Sequence, residues 1–153
     1  MLASRLSQRI ERNWEKIAAA VIAARDQDPA LPHYRNLSDL EIRERVKDLT
    51  VNLNSWLTTR DETRLAAYYE DLGRRRQSEG MPLHELVLKL TTIKRAIRTY
   101  ATEQNYNLTA IEIYDELELM RNMGGYFDFI ICHVVKGYEQ GRNTIPQDRN
   151  RAA

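Results

Sequence analysis

A long apolar stripe near the C-terminus constrains the fold more than any other feature of the sequence. Its members follow one another at alternating spacings of four and three residues, and they are Ile113, Leu117, Met120, Gly124, Phe127, Ile131, Val134, Tyr138 and Gly141. This spacing predicts a heptad seam on one helix of roughly 30 residues and about 45–50 Å. The other helical segments are shorter, at roughly 18–24 residues, so a bundle built from them cannot cover this helix along its full length.

We expect the end of this helix to pair with a second copy of the chain. Phe127, Ile131, Val134 and Tyr138 would otherwise leave an apolar strip in contact with water. A twofold partner covers such a strip simply, because the strip is then self-complementary. The alternative is that this end folds back onto the first helix. A final helix that outruns its domain is typical of a sensor or adaptor that relays a movement, and no enzyme requires one.

Length and composition favour one soluble, cytoplasmic domain. With 153 residues, of which 42% are apolar, the chain can bury a single core. Its 23 Lys and Arg residues against 22 Asp and Glu residues predict no binding to nucleic acid or to an anionic membrane. The longest apolar run, 17–24, is far below the ~20 residues of a membrane span. The single cysteine, Cys132, excludes an intrachain disulfide, and its apolar surroundings predict a buried, unreactive thiol.

Helical periodicity predicts an all-α bundle of about five helices and no strand. The first helix carries an apolar stripe from Leu2 to Ala24 and ends before the prolines of 28–32. The second helix begins at a capping box, in which Ser38 and Glu41 satisfy backbone donors that lack a partner in the first turn. The third helix has the weakest apolar face of the five.

Glycine and proline mark the next corner. Gly80 ends the third helix, and Pro82 fits the first position of the fourth, so we expect both residues to be architectural. A second capping box, Thr109 with Glu112, begins the long fifth helix. Residues 1–141 therefore form the predicted domain, and 142–153 form a frayed polar tail.

The sequence offers no catalytic or metal site. None of the three histidines has a second histidine at helical spacing, and none follows a glutamate by three residues. We predict no metal and no cofactor, with haem ligation by His84 or His133 as the alternative. Gly124 and Gly125 do not form a phosphate loop, because no strand precedes them, and we expect them to permit close helix approach or a kink.

A cluster of basic residues supports one further alternative, an adaptor that binds nucleic acid. The cluster comprises Arg74, Arg75, Arg76, Lys89, Lys94, Arg95 and Arg98. We favour a solvated face for these residues, because acidic residues near the start of the fifth helix offset them.

Residues 72–87 resemble the RsbRD-type N-terminal domain. The shared pattern is a helix end with arginine, a short gap, Gly80-Met81-Pro82-Leu83, and then an apolar helix. Trp14 and the stretch 135–139 are also similar to that family, so the likeness covers about residues 10 to 140. The resemblance implies a non-enzymatic sensory module of the kind found ahead of stressosome STAS domains, histidine kinases or cyclase-type outputs.

The resemblance also implies a globin-like helical fold that dimerises without haem. By the same resemblance, Gly80 and Pro82 are architectural rather than catalytic. Members of the family usually continue into an output domain, whereas this sequence ends shortly after Pro146. The expected partner is therefore an output domain of a longer protein or a separate signalling protein. A helical protein that binds a ligand or haem inside the bundle is the alternative function.

Overall fold

The computed structural model describes residues 3–28, 31–103 and 109–143. These residues form seven helices and no strand, which confirms the all-α prediction and the long C-terminal helix. The helices are α1 (Ala3–Arg12), α2 (Trp14–Gln27), α3 (Pro32–Arg35), α4 (Asp39–Thr59), α5 (Glu62–Ser78), α6 (Leu83–Glu103) and α7 (Ala110–Asn143). The globin-like arrangement stays a prediction.

The described residues contain two helices more than the predicted five. The predicted first helix is interrupted at Asn13, whose side-chain amide donates to the Arg9 carbonyl at 2.8 Å and competes with the regular backbone bonds. A short extra helix, α3, begins at Pro32 inside the predicted linker. Leu2, residues 29–30 and the predicted tail from 144 onward lie outside the described residues.

Both predicted capping boxes are confirmed. The Ser38 hydroxyl accepts from the Glu41 backbone amide at 3.2 Å, and the Glu41 carboxylate accepts from the Ser38 amide at 2.9 Å. Thr109 and Glu112 make the same reciprocal pair, at 3.3 and 2.8 Å. These local bonds fix where α4 and α7 begin.

The corner between α5 and α6 is a Schellman motif. Gly80 has a φ of +77°, a left-handed conformation that costs glycine little. The Met81 amide donates to the Arg76 carbonyl at 3.1 Å, and the Gly80 amide donates to the Gln77 carbonyl at 3.0 Å. α5 ends two residues before Gly80, and Pro82 stands immediately before α6.

The pair α5 and α7 has the most extensive contact among the described helices, and glycines bring their backbones together. A Cβ added at Gly137 would overlap the backbone of Glu70, and one added at Gly73 would overlap the Val134 carbonyl. Only glycine fits at either position. The crossing therefore depends on residues that contribute no side chain, which is how α5 covers α7 although few of its side chains are apolar.

Gly124 and Gly125 do not have the role that the sequence predicted. A Cβ added at either residue would meet nothing within 4 Å, and α7 is one continuous helix across both. The expectation of a close approach there is wrong, because the crossing lies further along α7, at Gly137. α7 also continues past the predicted domain limit at Gly141 and ends at Asn143.

Candidate functional site

The end of α7 is buried inside the protomer, which corrects the expectation of an uncovered strip. Phe127, Val134 and Tyr138 are buried, and Ile131 is half-buried. The main cover of this part of α7 is α5 of the same chain. The apolar pattern of the sequence did not predict this contact, because glycines rather than large side chains allow α5 to approach α7.

The predicted corner and the predicted signal helix are directly bonded. The Tyr138 hydroxyl on α7 donates to the Met81 carbonyl at 2.8 Å, between Gly80 and Pro82. The same Met81 donates its amide to Arg76 in the cap of α5. A buried hydrogen bond therefore joins this corner to α7.

A second buried network joins α4, α5 and α7. The Tyr126 hydroxyl donates to the Leu49 carbonyl at 3.0 Å, so the Tyr69 hydroxyl, 2.9 Å away, donates to Tyr126. The Asn52 amide in turn donates to Tyr69 at 3.1 Å. Burial raises the pKa of both tyrosines above the ordinary value, so both stay neutral donors.

The start of α7 is the part of the helix that stands uncovered. Four large apolar side chains there are exposed: Ile111 by 65%, Ile113 by 47%, Tyr114 by 78% and Leu117 by 62%. The sequence therefore predicted an overhang correctly but placed it at the wrong end of the helix.

The first members of the predicted stripe occupy one flank of α7. Because successive helical residues turn by about 100°, Ile113, Leu117 and Gly124 share a flank that is distinct from the face buried by Leu119 and Met123. The space beside Gly124 is open. This flank is an apolar surface on which a second helix could pack.

A cavity of about 220 Å³ lies between α4, α5 and α6. Its lining residues are Glu41, Glu44, Arg45, Asp48, Leu49, Tyr68, Tyr69, Leu72, Arg75, Arg76, Lys89 and Leu90. Lys89 is only 2% exposed, and Arg45 and Arg76 are half-buried. The cavity thus gathers basic side chains from three helices, beside acidic side chains of α4.

Several donors on these cations have no hydrogen-bond partner among the described residues. They are the Lys89 ammonium nitrogen, Nη1 of Arg45 and Nε of Arg76. Burial lowers the pKa of Lys89 well below its ordinary value, and the charges of Arg45 and Arg76 lower it further. Burial also lowers the pKa of Arg45, to about 10, and the positive charge of Arg76 is the next largest cause. The positive charge of Arg76 therefore acts on both Arg45 and Lys89.

Three carboxylates also line the cavity, those of Glu41, Glu44 and Asp48, and two of them accept hydrogen bonds from groups other than the cavity cations. Glu41 accepts from the backbone and hydroxyl of Ser38, which lowers the Glu41 pKa. Asp48 accepts from the Tyr68 hydroxyl at 3.0 Å. Both oxygens of Glu79 accept from Nη1 of Arg76 at 2.8 Å, which leaves Nε of that arginine unpaired.

The structure separates the other residues that the sequence singled out. His84 is exposed, whereas Nδ1 of His133 lies 3.5 Å from Glu70, and the described residues hold no group of three or more His, Cys, Asp or Glu side chains suited to a metal. Cys132 is exposed, so the predicted burial of its thiol is wrong, because it lies on a side of α7 that α5 does not cover. Lys89 is buried, which corrects the expected solvated face at that position.

Sequence comparison identifies one family. The family model for the RsbT co-antagonist protein rsbRD N-terminal domain matches residues 15–153. No curated protein and no solved structure matches the chain. Within the described residues, no helix has both the length and the apolar character needed to cross a membrane.

Proposed function

The chain belongs to the family of RsbT co-antagonist protein rsbRD N-terminal domains, and from this premise we propose that it is a sensory module that pairs with a second copy and relays a signal along α7. Membership makes it a stressosome-type regulatory domain, which is not an enzymatic class. Its output is a domain of a longer protein or a separate signalling protein in the cytoplasm.

The exposed start of α7 supports pairing with a second copy. Ile113 and Leu117 lie one helical turn apart on the flank that continues to Gly124, and no described helix covers them. Two such flanks can pack against each other about a twofold axis, because each presents the same apolar surface. Phe127, Val134 and Tyr138 hold the protomer together instead, and the pairing uses the first members of the predicted stripe.

The bonded corner supports relay along α7. Tyr138 fixes the end of α7 to Met81, and the start of the same helix carries the proposed pairing surface. Because a helix transmits displacement along its axis, a change at the corner alters the geometry of the pair. Such coupling requires two states that differ in their contacts, and the corner and the pairing flank are the two sites.

Light scattering on the full chain tests the pairing surface. We expect the wild type to be a dimer and the variant with Ile113→Asp and Leu117→Asp to be a folded monomer, because both side chains are exposed in the protomer. Leu40→Asp is the matched control, since Leu40 is a 65% exposed apolar residue on α4. A monomeric wild type, or a double variant that stays dimeric, would contradict the proposed surface.

A further inference from the structure

The cavity between α4, α5 and α6 contains donors without acceptors. Lys89, Arg45 and Arg76 each keep at least one buried nitrogen without a partner in the described part of the chain. A buried donor without an acceptor has lost its hydrogen bond to water without replacement, and this loss is larger when the donor is charged. Natural folds keep few such groups unless another molecule satisfies them.

This chain satisfies a buried arginine elsewhere. Nη1 of Arg25 donates to the Leu37 carbonyl and Nη2 donates to Asp39, both at 2.7 Å, while Nε donates to Asp26 at 3.0 Å. Arg25 is as buried as a core residue, yet all three of these nitrogens have partners. Burial alone therefore does not leave an arginine of this chain unpaired, although the Tyr34 hydroxyl and Nδ1 of His133 also lack a hydrogen-bond partner among the described residues.

We propose that this cavity binds a tetrahedral oxyanion of the phosphate type, held by Lys89, Arg45 and Arg76. The three residues come from three different helices and line one space, so a single small anion bound there lies beside all three side chains. A phosphate group offers oxygens in several directions, whereas a carboxylate offers two oxygens in one plane. A volume of about 220 Å³ admits inorganic phosphate or a small phosphomonoester.

The apolar and aromatic walls of the cavity strengthen such an interaction. Tyr69, Leu49 and Leu90 are buried and exclude water from its inner side. Charge-assisted hydrogen bonds are stronger in a medium of low dielectric constant. A bound anion also offsets the positive charges of Arg45 and Arg76, which lower the pKa of Lys89.

The site is connected to the corner of the fold. The Arg76 side chain lines the cavity, and its carbonyl accepts from Met81, whose own carbonyl accepts from Tyr138 of α7. An anion that pulls on Arg76 therefore acts on the cap of α5 and on the helix that carries the proposed pairing flank. This inference rests on the proposed sensory function, because it takes the bound anion to be the signal and names the chemical class of that signal.

Thermal unfolding of the full chain tests binding, with inorganic phosphate, sulfate and acetate as probes at constant ionic strength set by potassium chloride. We expect phosphate and sulfate to raise the unfolding midpoint by about 5–10 °C at a hundredfold excess over Kd. Acetate should raise it far less. No rise with phosphate would overturn the inference, and an equal rise with acetate would contradict the tetrahedral class.

Two variants localise the effect to the cavity. Lys89→Met should weaken phosphate binding by about tenfold or more, as should Arg76→Gln, because each removes a donor to the anion. Lys94→Met is the matched control, since Lys94 is a lysine of the same helix that does not line the cavity. Undiminished binding in folded Lys89→Met and Arg76→Gln would place the anion elsewhere and overturn the inference.

Two further measurements identify the source of the anion and test the anion site separately from the pairing surface. Tighter binding of glycerol phosphate than of inorganic phosphate would identify a phosphorylated metabolite as the source, and the reverse order would identify free phosphate; either result supports the site. Light scattering on the same samples keeps the proposals distinct. Absent phosphate binding in an intact dimer contradicts the anion site alone, whereas a monomer that binds phosphate contradicts the pairing alone.

Discussion

The two sides of α5 differ in how the buried polar groups beside them are satisfied. Towards α7, the hydroxyls of Tyr69, Tyr126 and Tyr138 all have partners, and the two backbones approach through glycine. Towards α4 and α6, the helix helps to line a cavity in which Arg76 and Lys89 retain unpaired donors. On the first side, Nδ1 of His133 also lacks a hydrogen bond, but it lies 3.5 Å from the Glu70 carboxylate. On the second side, the unpaired donors would be satisfied by the proposed anion.

This difference separates architecture from function within one helix. A satisfied and closely packed interface stabilises the fold, so changes there should lower the free energy of unfolding. A buried cationic group without an acceptor destabilises the unliganded fold, so its removal should raise the free energy of unfolding. Substitutions on the two sides of α5 should therefore act in opposite directions.

The largest expected effect is on the α7 side. Val134→Asp places a carboxylate without a partner in a fully buried position, and we expect a loss of at least about 4 kcal/mol, enough to unfold a chain of marginal stability. Circular dichroism and urea unfolding measure this loss. Leu117→Asp, on the exposed start of the same helix, should remain folded. A folded Val134→Asp would show that α5 does not seal this face.

A smaller loss is expected from one methyl group at the helix crossing. Gly137→Ala forces its Cβ against the backbone of Glu70, which cannot move like a flexible side chain, and should cost about 3 kcal/mol. Gly125→Ala is the matched control on the same helix, because its Cβ meets nothing within 4 Å. The control should gain about 0.5–1 kcal/mol from the better helix propensity of alanine. Urea unfolding of both variants gives the comparison, and equal stabilities would contradict the close crossing.

The sequence predicted the elements whose signals are local. The capping boxes at Ser38 and Thr109 and the length of α7 follow from residues close together in the chain, and all three are confirmed. The α5–α7 crossing could not be predicted in this way, because at Gly73 and Gly137 the information lies in a missing side chain. Periodicity detects apolar surface, and it does not detect how closely two backbones approach.

The sequence contains a periodic pattern that places two basic residues of the cavity on inward faces of their helices. Lys89 follows Leu86 by three residues and precedes Ile93 by four, so it shares their inward face. Arg45 stands in the same relation to Ile42 and Leu49. Long basic side chains usually carry their charge out to solvent from such positions, which favours a solvated face. Only the packing of α4, α5 and α6 shows that these two do not.

An intermediate effect is expected from the tyrosine network. Tyr126→Phe removes a hydroxyl that bonds the Leu49 carbonyl and accepts from Tyr69, and we expect a loss of about 1–2 kcal/mol because both partners stay buried. Tyr114→Phe is the control on α7, since Tyr114 is 78% exposed, and it should change stability by less than about 0.5 kcal/mol. Urea unfolding measures both changes. Equal free energies of unfolding for the two variants would show that the network does not stabilise the fold.

The smallest effect, and the only gain expected from a buried polar group, is on the cavity side. In phosphate-free buffer near neutral pH, Lys89→Met should raise the free energy of unfolding by about 1 kcal/mol, because an apolar side chain of similar length replaces an unpaired buried amine.

Because burial lowers the Lys89 pKa in the folded state, the unfolded chain binds more protons between that lowered pKa and the ordinary lysine value of about 10.4. Wild-type stability therefore rises with pH across that window, and the advantage of Lys89→Met shrinks with it. Urea unfolding from pH 6 to 9 measures the difference, with Lys94→Met as the control that should not reproduce it. A Lys89→Met variant that is less stable than the wild type at every pH would show that Lys89 has an acceptor inside the protomer. The two sides of α5 would then not differ in how their buried polar groups are satisfied.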